Sequence, residues 1–252
     1  MRQQISATLI TKNEGKNLER ALNALSFVDE IIIADSNSDD NTKEIARQFG
    51  ATIFDHDFKN YGSQKNVAEK AAKGPWILNI DADEVVSEKL RESILKLLSE
   101  PLEKCAALYE VERLNFVENV AIKHGGWNND VIPRLYQKNK ASWSEPNVHE
   151  RLMAINGQST SRLAGELYHY SFASLKDQVL TNMRYAEQGA RDLLIKKGRA
   201  PYLHEILLKP LGKFIECYVL KAGFLDGRIG FFIAVNAAHS IFMKYVLASR
   251  QK

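Results

Sequence analysis

The sequence predicts an α/β domain on a mostly parallel sheet, followed by a helical C-terminal extension. Three observations carry this. Through the first hundred positions, short runs of β-branched and aliphatic residues alternate with amphipathic segments of roughly 10–15 residues, the pattern of βαβ units. Polar, acid-bearing segments follow three of those runs, Thr11-Lys12-Asn13-Glu14, Asp35 and Asp81-Ala82-Asp83. Sheets of this kind collect ligands beyond the carboxyl ends of their strands. From about residue 174 the strand pattern gives way to helical periodicity, and no internal repeat is visible.

Ile5 to Ile10 is an aliphatic and β-branched run and reads as a buried strand. Asn13 is placed to cap a helix over about 16–26, with Leu18, Ala21, Leu22 and Leu25 on one face. VDEIIIA, residues 28–34, is a second strand ending at Asp35, and the polar turn SNSDDNT leads into a helix over 42–49 that Gly50 stops. ATIFD is a short third strand, 61–73 a helix, Gly74-Pro75 a break and WILNI a fourth strand. Ser87 caps a helix to about 98, and 105–117 reads as strand. VIPRLY and the stretch around Trp143 read as strands of a more mixed region. The α/β domain is thus expected at 1–172 and the helical extension at 173–252.

Composition narrows the class. A chain of 252 residues can bury a real core, and 45% hydrophobic with 26% charged residues excludes disorder and low complexity. Cys105 and Cys217 form neither a metal pattern nor a disulfide framework, which points to a reducing compartment. The N-terminal MRQQISATLITKNEG lacks a long apolar segment before a cleavage site and reads as a first strand, so no export signal is expected. The net charge of +3 is unevenly spread: residues 196–252 carry ten Lys or Arg against three acids, a surplus of seven, leaving −4 on the rest. A basic tail on an acidic body suits a negatively charged surface, membrane or nucleic acid.

PWILNIDADEVV, residues 75–86, is an oily run that ends in three carboxylates. Charges so close repel, so something positive is expected to offset them. Alternation along a strand would send Asp81 and Asp83 the same way, with Ala82 allowing close approach. Two converging carboxylates suit Mg²⁺ or Mn²⁺, which keeps waters and grips a diphosphate. A lone D-x-D is more often a solvated turn. Its place after a buried strand, beside two other polar strand ends, favours the metal.

ATLITKNEGKNLERAL, IIIADSNSDDNT, SQKNVAEKAAKGPWILNIDADE and HGGWNNDVIPRLY, in that order over about residues 4–170, together resemble an inverting family 2 glycosyltransferase of the GT-A fold. The HGGW loop, the R-L-Y run, VHE and GFLDGRIGF further resemble lipopolysaccharide core heptose β-1,4-glucosyltransferases. The resemblance implies a UDP-sugar donor, a divalent metal and a nucleotide-diphospho-sugar fold. It places Thr11, Glu14 and Asp35 at the base and ribose, with carboxylates accepting from uracil N–H or ribose hydroxyls. Lys65 and Asn66 fall beside the donor, Lys65 supplying charge near the diphosphate; the alternative is an exposed helix lysine. Asp81 falls near the ribose and metal, and Asp83 is the more direct metal ligand.

Inversion needs a carboxylate that takes the acceptor hydroxyl's proton. The family motif ends x-E-D; here it reads Asn128-Asn129-Asp130, so Asn replaces Glu and Asp130 is the expected base. Arg134 is placed to orient Asp130, to bind acceptor phosphate, or to form a salt bridge. The resemblance offers His169, in LYHYS, as a further metal ligand, with His149 in VHE as competitor; His149 with Glu150 may be read instead as acceptor-site residues. His124 stays unassigned, and His56, His204 and His239 belong to no motif.

Residues 229–248 are long enough to span a bilayer, but Asn236, Ser240 and Lys244 form one polar stripe, and a lysine there is costly against lipid. In 203–222, Leu207, Leu211, Phe214, Ile215 and Tyr218 oppose Lys209 and Lys213, with Pro210 expected to kink or start the helix. Such helices lie in a membrane interface, pack onto the catalytic domain, or pair subunits into an oligomer. The tail charge favours peripheral contact on the cytoplasmic face of the inner membrane, where a lipid-linked oligosaccharide acceptor waits. Two other classes fit less well. A sugar nucleotidyltransferase would carry a Gly-rich basic loop after the first strand, and TKNEGKN is a poor version; a nucleic-acid-binding tail would be less apolar. No nucleic acid partner is expected. The reading is transfer of a hexose, by preference glucose, from UDP to an inner-core heptose, or to another lipid-linked or polysaccharide acceptor.

Overall fold

The computed structural model describes residues 2–127, 130–144 and 150–250. The chain divides into two compact units, Met1–Arg113 with Asp130–His169, and Leu114–Asn129 with Tyr170–Lys252.

The first unit opens with β1 (Ile5–Thr11), α1 (Leu18–Asn23), β2 (Glu30–Asp35), α2 (Thr42–Gln48), β3 (Thr52–Asp55), α3 (Tyr61–Ala71) and β4 (Trp76–Asn79). There follow β5 (Glu84–Val86), α4 (Glu88–Leu97) and β6 (Leu108–Val117), whose last residues enter the second unit together with β7 (Val120–Ile122). The chain returns through β8 (Asp130–Gln137), β9 (Ala141–Trp143), β10 (Leu152–Ala154) and β11 (Thr160–Phe172). The sheet runs β3-β2-β1-β4-β8-β6-β11-β5, with β10 and β9 forming a separate ribbon. β3, β2, β1 and β4 are mutually parallel; β8 joins β4 antiparallel, and the β8–β6 and β11–β5 pairs are also antiparallel. The sheet is therefore mixed, with its parallel half where the βαβ pattern lies.

Alternation along these strands builds two cores. Trp76, Leu78 and Ile80 face one side with Leu18, Leu22 and Ile94, whereas Ile77 faces the other with Ala68 and Tyr136. β2 splits likewise, Ile33 going to the first side and Ile32 and Ala34 to the second. A strand buried on both faces has no polar alternation to show, which is why these runs read as continuous apolar stretches.

The helix after β1 is shorter than expected, and Asn13 does not cap it: Asn17 holds that position without a side-chain cap bond. Asn13 is instead left-handed, with φ 57°, and its side-chain oxygen accepts from the Asp39 N–H at 3.0 Å. The loops after β1 and β2 are stitched further, Glu14 N–H donating to Thr42 Oγ1 at 2.8 Å and Gly15 N–H to Asp40 at 3.1 Å. A Cβ on Gly15 would lie 1.9 Å from Asn41 Oδ1, so any larger residue would displace the Asn41 and Asp40 side chains that close this contact.

In the second unit the end of β6 pairs with β7 through a tight hairpin, Phe116 opposite Ala121. α5 (Leu175–Lys197) starts at Ser174, which accepts from Asp177 N–H at 3.2 Å, and ends at left-handed Gly198. α6 (Leu203–Ile215) runs through Pro210 rather than starting there, and continues into a wide π-turn over 216–220. α7 (Gly227–Arg250) packs against α5 through Ala190, Leu193, Tyr245 and Ala248. The polar stripe of α7 faces inward: Asn236 is buried, Ser240 Oγ donates to Asn182 O at 3.2 Å, and Lys244 lies over Gly189 of α5. Asp226, before α7, accepts from the N–H groups of Lys123 and His124 and pairs with His124 Nδ1 at 2.8 Å, which gives His124 a structural role.

Candidate active site

The parallel strands deliver their carboxyl ends to a cavity of about 730 Å³, a size typical for a small-molecule site. β1 contributes Thr11 and the following Glu14, α3 contributes Lys65, and the segment after β4 contributes Asp81, Ala82 and Asp83. Glu150 and His169 complete the acidic and imidazole lining. Phe58 and Tyr61, in edge contact with ring centroids 5.0 Å apart, add an exposed aromatic wall that the sequence reading did not single out.

Asp81 and Asp83 do not sit on a strand. β4 ends at Asn79, and residues 81–84 form a turn closed by Glu84 N–H to Asp81 O at 2.9 Å. Both aspartates still line the cavity, so turn geometry achieves what strand alternation was expected to supply. The antiparallel β5–β11 pair sets His169 opposite Glu84, next to Asp83. His169 Nε2 lies 3.2 Å from Asp83 Oδ2.

Positive charge within the protein offsets much of the acid. Arg134, on β8, reaches Asp81 at 2.6 Å, Glu84 at 2.5 Å and Asn79 Oδ1 at 3.3 Å. It is buried beneath the turn and is not among the cavity-lining residues, so its position is that of a salt-bridging anchor and not an acceptor contact. Burial would lift the Asp81 carboxyl, but Arg134 and then Lys65 hold it well below the carboxylate range. Fully buried Glu84 is pushed up, burial being the main cause. Lys65 is only 5% exposed, which removes the surface-lysine alternative. Its Nζ lies 3.6 Å from Asp81, 3.3 Å from Glu150 and 4.1 Å from the centre of the Trp143 ring.

Glu14 shows the charge left over. Its carboxyl is pushed up by burial first, and the nearby charges of Asp83, Asp40 and Asp81 add to the rise. Among the described residues no three or more His, Cys, Asp or Glu side chains gather as a complete metal cage. A divalent cation that takes its remaining ligands from water and a diphosphate needs fewer protein donors, and the Asp83–His169 pair in this acidic wall fits that role. Asp81 is committed to Arg134 and Lys65.

Several expected site residues fall elsewhere. Asp35 is completely buried and is not among the lining residues: it accepts from Thr11 Oγ1 and Ser38 Oγ at 2.6 Å and from Ser38 N–H at 2.7 Å. Burial would raise its carboxyl, yet these bonds from Ser38 and Thr11, with Lys43 nearby, leave it below its ordinary value. Asn66 donates to Trp143 O at 3.3 Å and is also absent from the lining. Asp130 opens β8 opposite Arg113 and is bonded by its Nε and NH2, at 2.8 and 2.7 Å, both on Oδ2. It too is absent from the lining, and the residue holding it is Arg113 rather than Arg134. Asn128, Asn129 and His149 lie outside the described residues.

Comparison with known proteins places this arrangement. Residues 6–160, more than half of the chain, match the model of Glycosyl transferase family 2. The chain belongs to that family. This glycosyltransferase is 30% identical over 249 residues to an uncharacterized glycosyltransferase of Rickettsia bellii, spanning 96% of this chain and 84% of the relative. It is 24% identical over 259 residues to the lipopolysaccharide core biosynthesis glycosyltransferase LpsC of Rhizobium meliloti, spanning 98% and 94%. In structure it resembles the mannosyltransferase PcManGT from Pyrobaculum calidifontis, solved with GDP-Man and Mn²⁺. The TM-score is 0.52 at 12% identity, covering 98% of this chain and 87% of that one. The fold is the α/β GT-A fold that the sequence led us to expect.

Proposed function

We propose that this glycosyltransferase moves a hexose, by preference glucose, from its UDP form to a heptose of lipopolysaccharide inner core, with inversion. One observation carries the reading: a single cavity at the parallel strand ends is lined by Glu14, Lys65, Asp81, Asp83 and His169. Asp83 and His169 would hold Mg²⁺ or Mn²⁺, which when bound neutralises charge on a departing diphosphate. Lys65, held between Asp81 and Glu150, adds a fixed cation at the same wall. Thr11 and Glu14 face the nucleoside, Asp35 acting on it through the Thr11 hydroxyl it holds. Asp130 is the base; Arg113 bonds Oδ2, and Oδ1, with no bond among the described residues, would accept the acceptor hydroxyl's proton. Arg113 fixes that carboxylate's orientation. The likeness to LpsC supports a lipopolysaccharide acceptor. Such an acceptor places the enzyme peripherally on the cytoplasmic face of the inner membrane.

The test is a donor screen on the full chain. UDP-glucose should be turned over faster than other UDP-sugars or GDP-mannose, chelator should stop turnover, and transfer to a heptose acceptor should give the β-anomer by NMR. Turnover confined to GDP-mannose, or a retained anomer, would overturn the reading.

A further inference from the structure

The helices of the second unit carry their polarity the wrong way round for a water-exposed bundle. α7 turns Asn236, Ser240 and Lys244 inward onto α5 and leaves Phe231 and Val235 49% and 42% exposed. α6 goes further. Leu203, Leu207, Leu211 and Ile215 recur every four residues, share one face, and are 71, 57, 54 and 42% exposed. Leu220 and Leu225 extend the same character through the turns before α7. Soluble surfaces scatter single apolar residues; a continuous stripe marks a binding face. α5 differs in pattern: its exposed Leu180, Tyr185 and Ile195 are separated by exposed Arg184, Glu187, Arg191 and Asp192 and form no such stripe.

Charge selects the occupant. The acid of α6, Glu205, is neutralised by Lys197 and by Arg199 at 2.9 Å, and Glu216 sits between Lys213 at 3.1 Å and Lys221 at 2.5 Å. Among the described residues Lys209 and Arg228 have no acidic partner and are exposed, so the rim is net basic. Two copies meeting through this face would oppose like charges, whereas anionic headgroups over an acyl layer complement both the lysines and the leucines. We infer that α6 lies flat in the interface of an anionic phospholipid bilayer, its leucine stripe beneath the phosphates and its lysines level with them. α7, though long and apolar enough to cross a membrane, is tied by its polar stripe to α5, which carries exposed charges. This deepens the reading of a lipid-borne acceptor and names the surface that would meet it.

The experiment is flotation of the full chain with phosphatidylethanolamine vesicles, with and without phosphatidylglycerol. Wild type should float with the anionic vesicles at low salt and lose most of that binding at high salt. Leu207→Glu with Leu211→Glu should lower partitioning on the order of tenfold or more, with melting temperature and UDP binding unchanged, since both side chains are outside the core. Lys209→Glu should weaken binding to anionic vesicles alone. Failure of wild type to float at low salt, or a leucine variant that floats as well as wild type, would overturn the inference. So would a wild-type dimer that the leucine variant splits without altering flotation. Donor turnover and transfer to a delipidated acceptor, both measured without vesicles, report separately on the catalytic reading.

Discussion

Replacing Arg134 by methionine tests the central electrostatic claim, because Arg134 is the group that touches Asn79, Asp81 and Glu84 together. Methionine keeps much of the stem, so lost charge dominates over lost packing. Glu84 is fully buried and, among the described residues, would keep Arg113 at 3.5 Å and the Asp81 N–H at 3.0 Å. Removing one partner of a buried pair costs about 3–5 kcal/mol, and the residual Arg113 contact sets the expectation at the lower end, about 3 kcal/mol. In a chain of this size each kcal/mol moves the melting temperature by roughly 2–4 °C, so a drop of about 6–12 °C is expected by calorimetry. Adding Glu84→Gln removes the stranded charge, and the double variant should recover most of the loss. A drop smaller than about 2 °C, or a double variant whose loss equals the sum of the two singles, would refute the claim that Arg134 compensates Glu84.

The other predictions concern the site itself. Asp83→Asn or His169→Ala should abolish stabilisation by UDP with Mn²⁺ in thermal shift and lower transfer by at least about 10–100-fold, the range for weaker outer-sphere changes at metal sites. Asp130→Asn should lower kcat by about 10²–10⁴-fold while leaving donor affinity unchanged by titration calorimetry. Asp35→Asn should destabilise by about 1–3 kcal/mol at neutral pH, because buried Thr11 and half-buried Ser38 donors lose a carboxylate acceptor. The folded-state value of Asp35 lies below 3.8, so its contribution is present above that pH and is lost as pH falls through the folded value. The melting-temperature gap to wild type should therefore narrow below about pH 3.8.

Much of the parallel half was legible because β2 and β4 are buried on both faces and read as apolar runs, while β1 keeps an aliphatic and β-branched character with Ser6 and Thr8 as its only polar side chains before Thr11. β5 and β11 were not, for the opposite reason: β5 has three residues, and TSRLAGELYHYSF mixes polar and apolar side chains along a largely half-exposed strand. Their pairing seats His169 beside the acidic turn, so periodicity could not have found that contact. Glu84 read as one more member of the acid cluster, yet it is the buried anchor, paired with Arg134 fifty positions away. The expected positive charge exists, and much of it is arginine and lysine from the chain itself. Asp35 could not be placed from sequence in this way: its carboxylate, a residue type suited to a nucleoside contact, is bonded by Ser38 and Thr11.

The stitching of residues 13–15 to residues 38–42 has an evolutionary consequence. Neither loop can gain or lose a residue without stripping its neighbour of donors, so the end of the cavity lined by Thr11 and Glu14 is held to a fixed length. The 56–60 connection is tied to the same network, Asn37 Nδ2 donating to Asp57 at 2.8 Å and His56 N–H to Asp35 O at 2.8 Å, so this end of the cavity is open to change through its side chains rather than through the length of its loops.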